Sequence, residues 1–195
     1  MSRSRVRVRP AELADLPQLM RVVEATDLQL GAPGGQQFQA DALANLPERF
    51  ATILSTDDRT VLVAVDDLGD IVGMVVAAEG DVGAITSIPA LHISHLLVAP
   101  GHRRRGVGRA LLAAVVHLAD QRGVDHVIAT AVTGSRDANR YLARLGFAPL
   151  VVRRIATTAT LRRSLGIDGA DRLALLRRAR QGGRSLAARA VSRGA

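Results

Sequence analysis

The stretch Val98-Ala99-Pro100-Gly101-His102-Arg103-Arg104-Arg105-Gly106-Val107-Gly108-Arg109-Ala110-Leu111-Leu112 runs from an apolar strand end, through a turn of glycines and arginines, into an amphipathic helix. The first turn of a helix leaves several N–H groups unpaired and carries partial positive charge, so it accepts phosphate oxygens. Three consecutive arginines reinforce that field, and Gly106 and Gly108 have no side chain to hold a pyrophosphate away from the main chain. The alternative is a turn merely shaped by its glycines and solvated by its arginines. A P-loop would need Lys and then Ser or Thr after Gly106, where Val107 and Gly108 stand. A dinucleotide fingerprint starting at Gly106 would need Gly or Ala at Leu111, and would follow the first strand of a βαβ unit.

Working outward, residues 91–98 read as the leading strand. Val107, Ala110, Leu111, Ala114, Val115 and Leu118 mark one face of a helix that stops near Gly123. Upstream, the β-rich runs 60–65 and 71–78 flank Asp66-Asp67-Leu68-Gly69-Asp70 and predict an antiparallel hairpin. Residues 6–9 alternate like a half-buried strand. Pro10 then opens a helical pattern carrying Leu13, Leu16, Met20 and Val23. A loop at Gly31-Ala32-Pro33-Gly34-Gly35 precedes a weaker helical region over 41–54, a candidate seat of acceptor or partner specificity. Downstream, 124–132 reads as a buried strand and 135–145 as a helix ended by Gly146. Residues 147–156 read as a last strand. The order β-α-α-β-β-β-α-β-α-β predicts an α/β (α+β) fold, a mixed, mostly antiparallel central sheet flanked by helices. One domain over 1–160 and a basic C-terminal tail over 161–195, helical or disordered, are expected.

All 26 basic side chains of the 195-residue chain are arginines, which excludes chemistry based on a Schiff-base or P-loop lysine. The absence of cysteine excludes disulfides, thiolate nucleophiles and cysteine-ligated metals. His102, His117 and His126 lack metal-ligand spacing, and no metal is expected. Residues 1–150 hold 15 arginines against 16 acids, and residues 151–195 hold 11 against 2, so the formal charge of +8 belongs to the tail. With aromatics at 2%, the body lacks the stacking platform of single-strand nucleic-acid binders. Genomic base composition is a competing source of the arginines. Asp168 or Asp171 could cap a tail helix bearing Leu173, Leu176 and Ala179; a solvated tail and a weak contact with a polyanion are the other readings. Residues 1–10 lack an apolar signal core and the run 71–78 is too short to cross a bilayer, so no transmembrane segment and a cytoplasmic location are expected.

Arg103-Arg104-Arg105-Gly106-Val107-Gly108 resembles the coenzyme motif Arg/Gln-x-x-Gly-x-Gly/Ala of the GNAT superfamily of acyl-CoA-dependent N-acyltransferases. Leu96-Leu97-Val98-Ala99-Pro100 resembles the family's leading strand, Ala110-Leu111-Leu112 its following helix, and Leu145-Gly146-Phe147 its second conserved region. The resemblance covers residues 6–156. It implies a GNAT-like fold that transfers an acetyl group from acetyl-CoA, as co-substrate, to a primary amine on a small molecule or a protein. A homodimer is compatible with it. The alternative is a GNAT-fold binding or regulatory protein with weak or no catalysis, working through its basic tail.

The same resemblance implies pantetheine contacts from Leu96, Leu97 and Val98, and pyrophosphate contacts from Arg103, Arg104, Arg105, Gly106, Val107, Gly108 and Arg109. It also implies direct attack of a neutral amine on the thioester, which requires orientation and proton routes. Family bases are often carboxylates on the fourth strand, whereas this strand carries His92, Ser94 and His95. Strand alternation puts His92 and Ser94 on one face and His95 on the other. His92 is the first candidate base, with a hydrogen-bonded structural histidine as the other reading, and His95 leans further toward a structural role. Relatives often place the acid, a tyrosine, at the position of Leu142. The chain's single tyrosine is Tyr141, turned about 100° around the helix, so Tyr141 is the candidate acid, with a core tyrosine as the other reading. Ser135 stands where relatives carry a coenzyme-contacting asparagine, with Asn139 one turn later as a substitute.

Overall fold

β-branched runs at Thr60–Val65 (β2) and Ile71–Asp81 (β3) form the centre of the sheet, because strands buried on both faces tolerate near-continuous apolar sequence. Arg7–Pro10 (β1) pairs with β2, and Pro89–Val98 (β4) pairs with β3, all antiparallel. Val127–Ala129 (β5) adds a parallel strand beside β4, giving the order β1-β2-β3-β4-β5. The structure, a computed structural model, describes residues 6–26, 44–83, 85, 87–131, 136–152 and 154–166. Those up to Leu150 belong to one compact unit and those from Val151 onward to a second.

Two apolar layers cover the sheet. On one face lie Leu16–Ala25 (α1) and Leu46–Ser55 (α2), which contribute Leu19, Val22, Val23 and Phe50 against Val61, Val63, Met74 and Val76. On the other lies Val107–Gln121 (α3), which contributes Val107, Leu111 and Val115 against Leu62, Val75, Leu91 and Ile93. Each buried aliphatic side chain stabilises the fold by roughly 1.5–3 kcal/mol before chain entropy is counted. Arg9 grips the buried carboxylate of Asp15 through two hydrogen bonds of 2.6 and 2.8 Å, joining β1 to the entry of α1. That contact holds the Asp15 pKa below its usual value. Helix α3 ends where the Val124 amide donates to Ala119 and the Gly123 amide to Asp120. Arg136–Arg144 (α4) closes the same way, Phe147 donating to Leu142 and Gly146 to Ala143. In the second unit, Thr158–Ser164 (α5) is capped by the Thr157 hydroxyl, which accepts from the Thr160 amide.

Several expectations change. Residues 147–156 form no strand among those described: Leu150, Val151 and Val152 are 58, 71 and 80% exposed. A strand needs a partner as well as propensity; Pro149 lacks an amide donor, and Leu150, Val151 and Val152 follow one another without the alternation that one buried face requires. The strand expected over 124–132 shortens to β5 and is half-buried, because its ladder with β4 spans only Leu91–Ile93. Leu13 falls in a 3-10 turn, Leu13–Asp15, and is exposed instead of joining the apolar face of α1. The helix expected over 41–54 begins at Leu46, with 41–43 outside the described residues, as are Asp168, Asp171 and the tail beyond 166.

Candidate active site

Strand β4 changes character at Ser94. Ile93 pairs with Ala77 and His95 with Val76, so Ser94 is an extra residue, a β-bulge. The ladder to β5 ends at the same place, with Ile93 opposite Ala129 and the Thr130 amide donating to the Ile93 carbonyl. Beyond it the edge of β4 facing β5 has no strand partner among the described residues. The Ala99 amide donates to Val72 on β3; by strand alternation, the main-chain groups of Leu96 and Val98 face the open side. Leu96 and Val98 send their side chains to the α3 layer and Leu97 to the α1–α2 layer. The bulge also reverses side-chain parity, so the expected separation of the histidines fails: His92, alternating with Leu91 and Ile93, and His95, alternating with Leu96, share the α1–α2 face.

The turn after β4 begins with a 3-10 segment, Pro100–His102, and passes through Arg104 at φ +61° and Gly106 at φ +92°. A left-handed non-glycine residue costs about 1 kcal/mol or more, and such strain gathers at functional turns. Arg103 folds back so that its Nε donates to the Val98 carbonyl at 3.3 Å, while Arg104, Arg105 and Arg109 are exposed. Val107 buries its side chain and offers only its main chain. The first intrahelical bond comes from the Ala110 amide to Gly106, which leaves the amides of Val107, Gly108 and Arg109 at the start of α3 for an external acceptor. His102 lies 3.7 Å from Asp66, whose carboxylate also accepts from the amides of Leu68 and Asp70, so the base of the turn is tied to the β2–β3 connection.

Tyr141 reaches this corner from α4. A Cβ placed on Gly108 would lie 3.4 Å from the Tyr141 hydroxyl and 3.8 Å from Val98 Cγ2, so the absence of a side chain there keeps the approach open. Tyr141 thus stands beside Gly108 although it is one residue away from the expected helical position. Tyr141 Oη is buried and makes no hydrogen bond, alone in this among the buried side-chain polar atoms of the described residues. Leaving it so costs roughly 1–3 kcal/mol, which points to a ligand partner. Burial raises the Tyr141 pKa above its usual value, against the opposing charge of Arg109, so the hydroxyl holds its proton at neutral pH. An open strand edge, a strained cationic turn, free helix-start amides and an orphan hydroxyl together suit an acyl thioester carried on a pyrophosphate-bearing coenzyme.

Other expected residues lie apart from this cluster. His92 donates Nε2–H to the Asp81 carbonyl at 3.0 Å, with its ring over Gly80, in the half of β4 that is paired on both sides. Asn139 is exposed, about 200° around α4 from Tyr141. Ser135 lies outside the described residues. Among the described residues no His, Asp or Glu cluster could hold a metal ion, and no helix is long and apolar enough to cross a membrane. Sequence reading missed the bulge at Ser94 and the hydrogen bond from His95 Nδ1 to Ser94 Oγ, 3.1 Å long. Only two neighbouring polar residues in an otherwise apolar strand end hinted at them.

Comparison with known proteins agrees with this fold. The model of the acetyltransferase (GNAT) family matches residues 25–147. A mycothiol acetyltransferase from Clavibacter michiganensis subsp. michiganensis (strain NCPPB 382) is 34% identical over 110 residues, 55% of this chain and 33% of that protein. The match thus spans about a third of the curated relatives' length. Ribosomal-protein-alanine N-acetyltransferase from Brucella melitensis biovar Abortus 2308 superposes with a TM-score of 0.60 at 18% identity, over 78% of this chain and 99% of that one. AAC(6')-Iy in complex with the bisubstrate analog CoA-S-monomethyl-acetylneamine gives 0.59 at 21% identity, over 79 and 100%. At these identities the structural likeness shows the fold.

Proposed function

The chain belongs to the acetyltransferase (GNAT) family, and from that premise we propose that it transfers an acetyl group from acetyl-CoA to a primary amine. The observation that carries this reading is the buried, unpartnered Tyr141 hydroxyl facing Gly108 at the start of α3. Acetyl-CoA, when bound, supplies an activated acyl carbon and a thiolate leaving group. The main chain of Leu96 and the amide of Val98 extend the sheet along the pantetheine arm. The amides of Val107, Gly108 and Arg109, with the exposed charges of Arg104 and Arg105, hold the pyrophosphate. Tyr141, protonated at neutral pH, donates its hydroxyl proton toward the departing sulfur. Orientation supplies much of the acceleration, because a bound amine and thioester no longer have to meet in solution. The ligand named for one structural neighbour, CoA-S-monomethyl-acetylneamine, makes neamine-like amines the first acceptors to offer.

Thermal unfolding with and without acetyl-CoA tests the reading. Ligand at about a hundredfold over its dissociation constant adds roughly 2.7 kcal/mol, on the order of 5–10 °C for a chain of this size. Gly108→Trp fills the cradle between Tyr141 and Val98 and is expected to abolish the shift while the protein still folds. No shift in the wild type at millimolar acetyl-CoA would sink the proposal.

A further inference from the structure

We propose that His95, held by Ser94, takes the proton of the attacking amine; this rests on the acetyl-transfer reading and adds the base that the reading lacks. Ser94 Oγ lies 3.2 Å from the Val76 carbonyl. A carbonyl only accepts, so the hydroxyl spends its single proton there. His95 Nδ1 lies 3.1 Å from the same Oγ, which can then only accept. The proton of the neutral imidazole is thereby fixed on Nδ1, and the lone pair stands on Nε2. Among the described residues Nε2 has no hydrogen-bond partner.

Position agrees with this chemistry. The bulge that supplies Ser94 sits where β4 and β5 part. His95 borders that opening from the α1–α2 face, while Tyr141 packs with the α3 layer on the other. Acid and base thus meet the gap from opposite faces and do not neutralise each other. The ring of His95 keeps an exposed edge, yet loss of solvent around it, joined by the charge of Arg59, keeps its pKa below the ordinary histidine value. Arg59 is itself 3.5 Å from Asp58, and the neighbouring His92 is tied to the Asp81 carbonyl. His92, the first expectation for this role, has committed Nε2 as a donor and sits within the doubly paired part of the strand.

The step balances without a further reactant. The amine nitrogen bonds to the thioester carbon, the carbon–sulfur bond breaks with its electron pair going to sulfur, the amine proton passes to His95 Nε2, and sulfur receives the Tyr141 proton. Ser94 is a positioning residue that selects the tautomer.

Two measurements on the full chain test this. Ring nitrogen-15 spectra of histidine-labelled protein need no acceptor: His95 is expected as the Nδ1–H tautomer above its pKa, shifting toward Nε2–H in Ser94→Ala. Finding Nε2–H in the wild type overturns the proposal. The second measures kcat/KM against pH for acetyl transfer to sisomicin, glucosamine and an alanine-terminated peptide. His95→Gln is expected to lower the rate at least about a hundredfold and to remove the acid limb, with the acetyl-CoA melting shift retained. A retained limb and rate in His95→Gln overturns the base assignment and leaves the transferase reading intact. Absence of the melting shift in the wild type overturns the transferase reading, and this proposal with it.

Discussion

Leu91, His92 and Ile93, in the first half of β4, are paired on both sides, with β3 and with β5, whereas among the described residues His95, Leu96, Leu97 and Val98 are paired with β3 alone. Leu91 and Ile93 are each 1% exposed; Leu96, Leu97 and Val98 keep intermediate exposure. Composition does not separate the halves, since both are aliphatic with one histidine. What separates them is the extra residue at Ser94 and the departure of β5. Pairing and burial make the first half part of the core, and their partial withdrawal makes the second half an open edge. A protein can thus leave backbone groups unsatisfied where a ligand will satisfy them, provided the adjoining ladder is secure.

The division can be broken most severely at Ile93. Ile93→Ala opens a cavity under α3 and is expected to cost about 2–5 kcal/mol in urea unfolding, while acetyl-CoA affinity of the folded protein is unchanged; weakened affinity would mean that the halves do not act separately. A smaller effect of opposite sign is expected on the ligand side. Tyr141→Phe removes the buried orphan hydroxyl and should stabilise the protein by about 1 kcal/mol while slowing acetyl transfer by about a hundredfold. A loss of stability would show that the hydroxyl is satisfied without ligand. The smallest effect concerns pH. Because the pKa of His95 is lower in the folded chain, the unfolded chain binds more protons between the two values. Stability is therefore retained above about pH 6.5, the unfolded histidine value, and declines as pH falls below it. His95→Gln should flatten that decline when urea midpoints at about pH 7.5 and about pH 5.5 are compared; an undiminished slope would assign the decline to other groups.

Much of this arrangement was legible in the chain. Helix α3 follows from the spacing of Val107, Leu111 and Val115 with Gly123 as its stop, the β2–β3 hairpin from its Asp66-Asp67-Leu68-Gly69-Asp70 turn, and the turn before α3 from three arginines and two glycines at fixed offsets. These signals are local, each needing only a few neighbouring residues to be read. The run 147–156 misleads for the converse reason: its apolar residues favour extended backbone, but no strand in the described residues pairs with them. Gly73 was equally illegible, although a Cβ there would stand 2.9 Å from the Leu97 carbonyl and 3.0 Å from Val107 Cγ1, where β3 lets α3 approach β4.

By itself, the sequence determined the order of elements through α4, the glycine–arginine turn that leads into α3, and a chain without cysteine or lysine. Those rest on periodicity, turn residues and composition, which act over one or two helical turns. Tertiary structure alone decided which histidine meets the opening, that Tyr141 faces Gly108 despite its shifted position, and where β4 stops being core. A single inserted residue reverses side-chain parity, and the packing of one helix fixes a hydroxyl's surroundings, and both depend on partners far away in the chain.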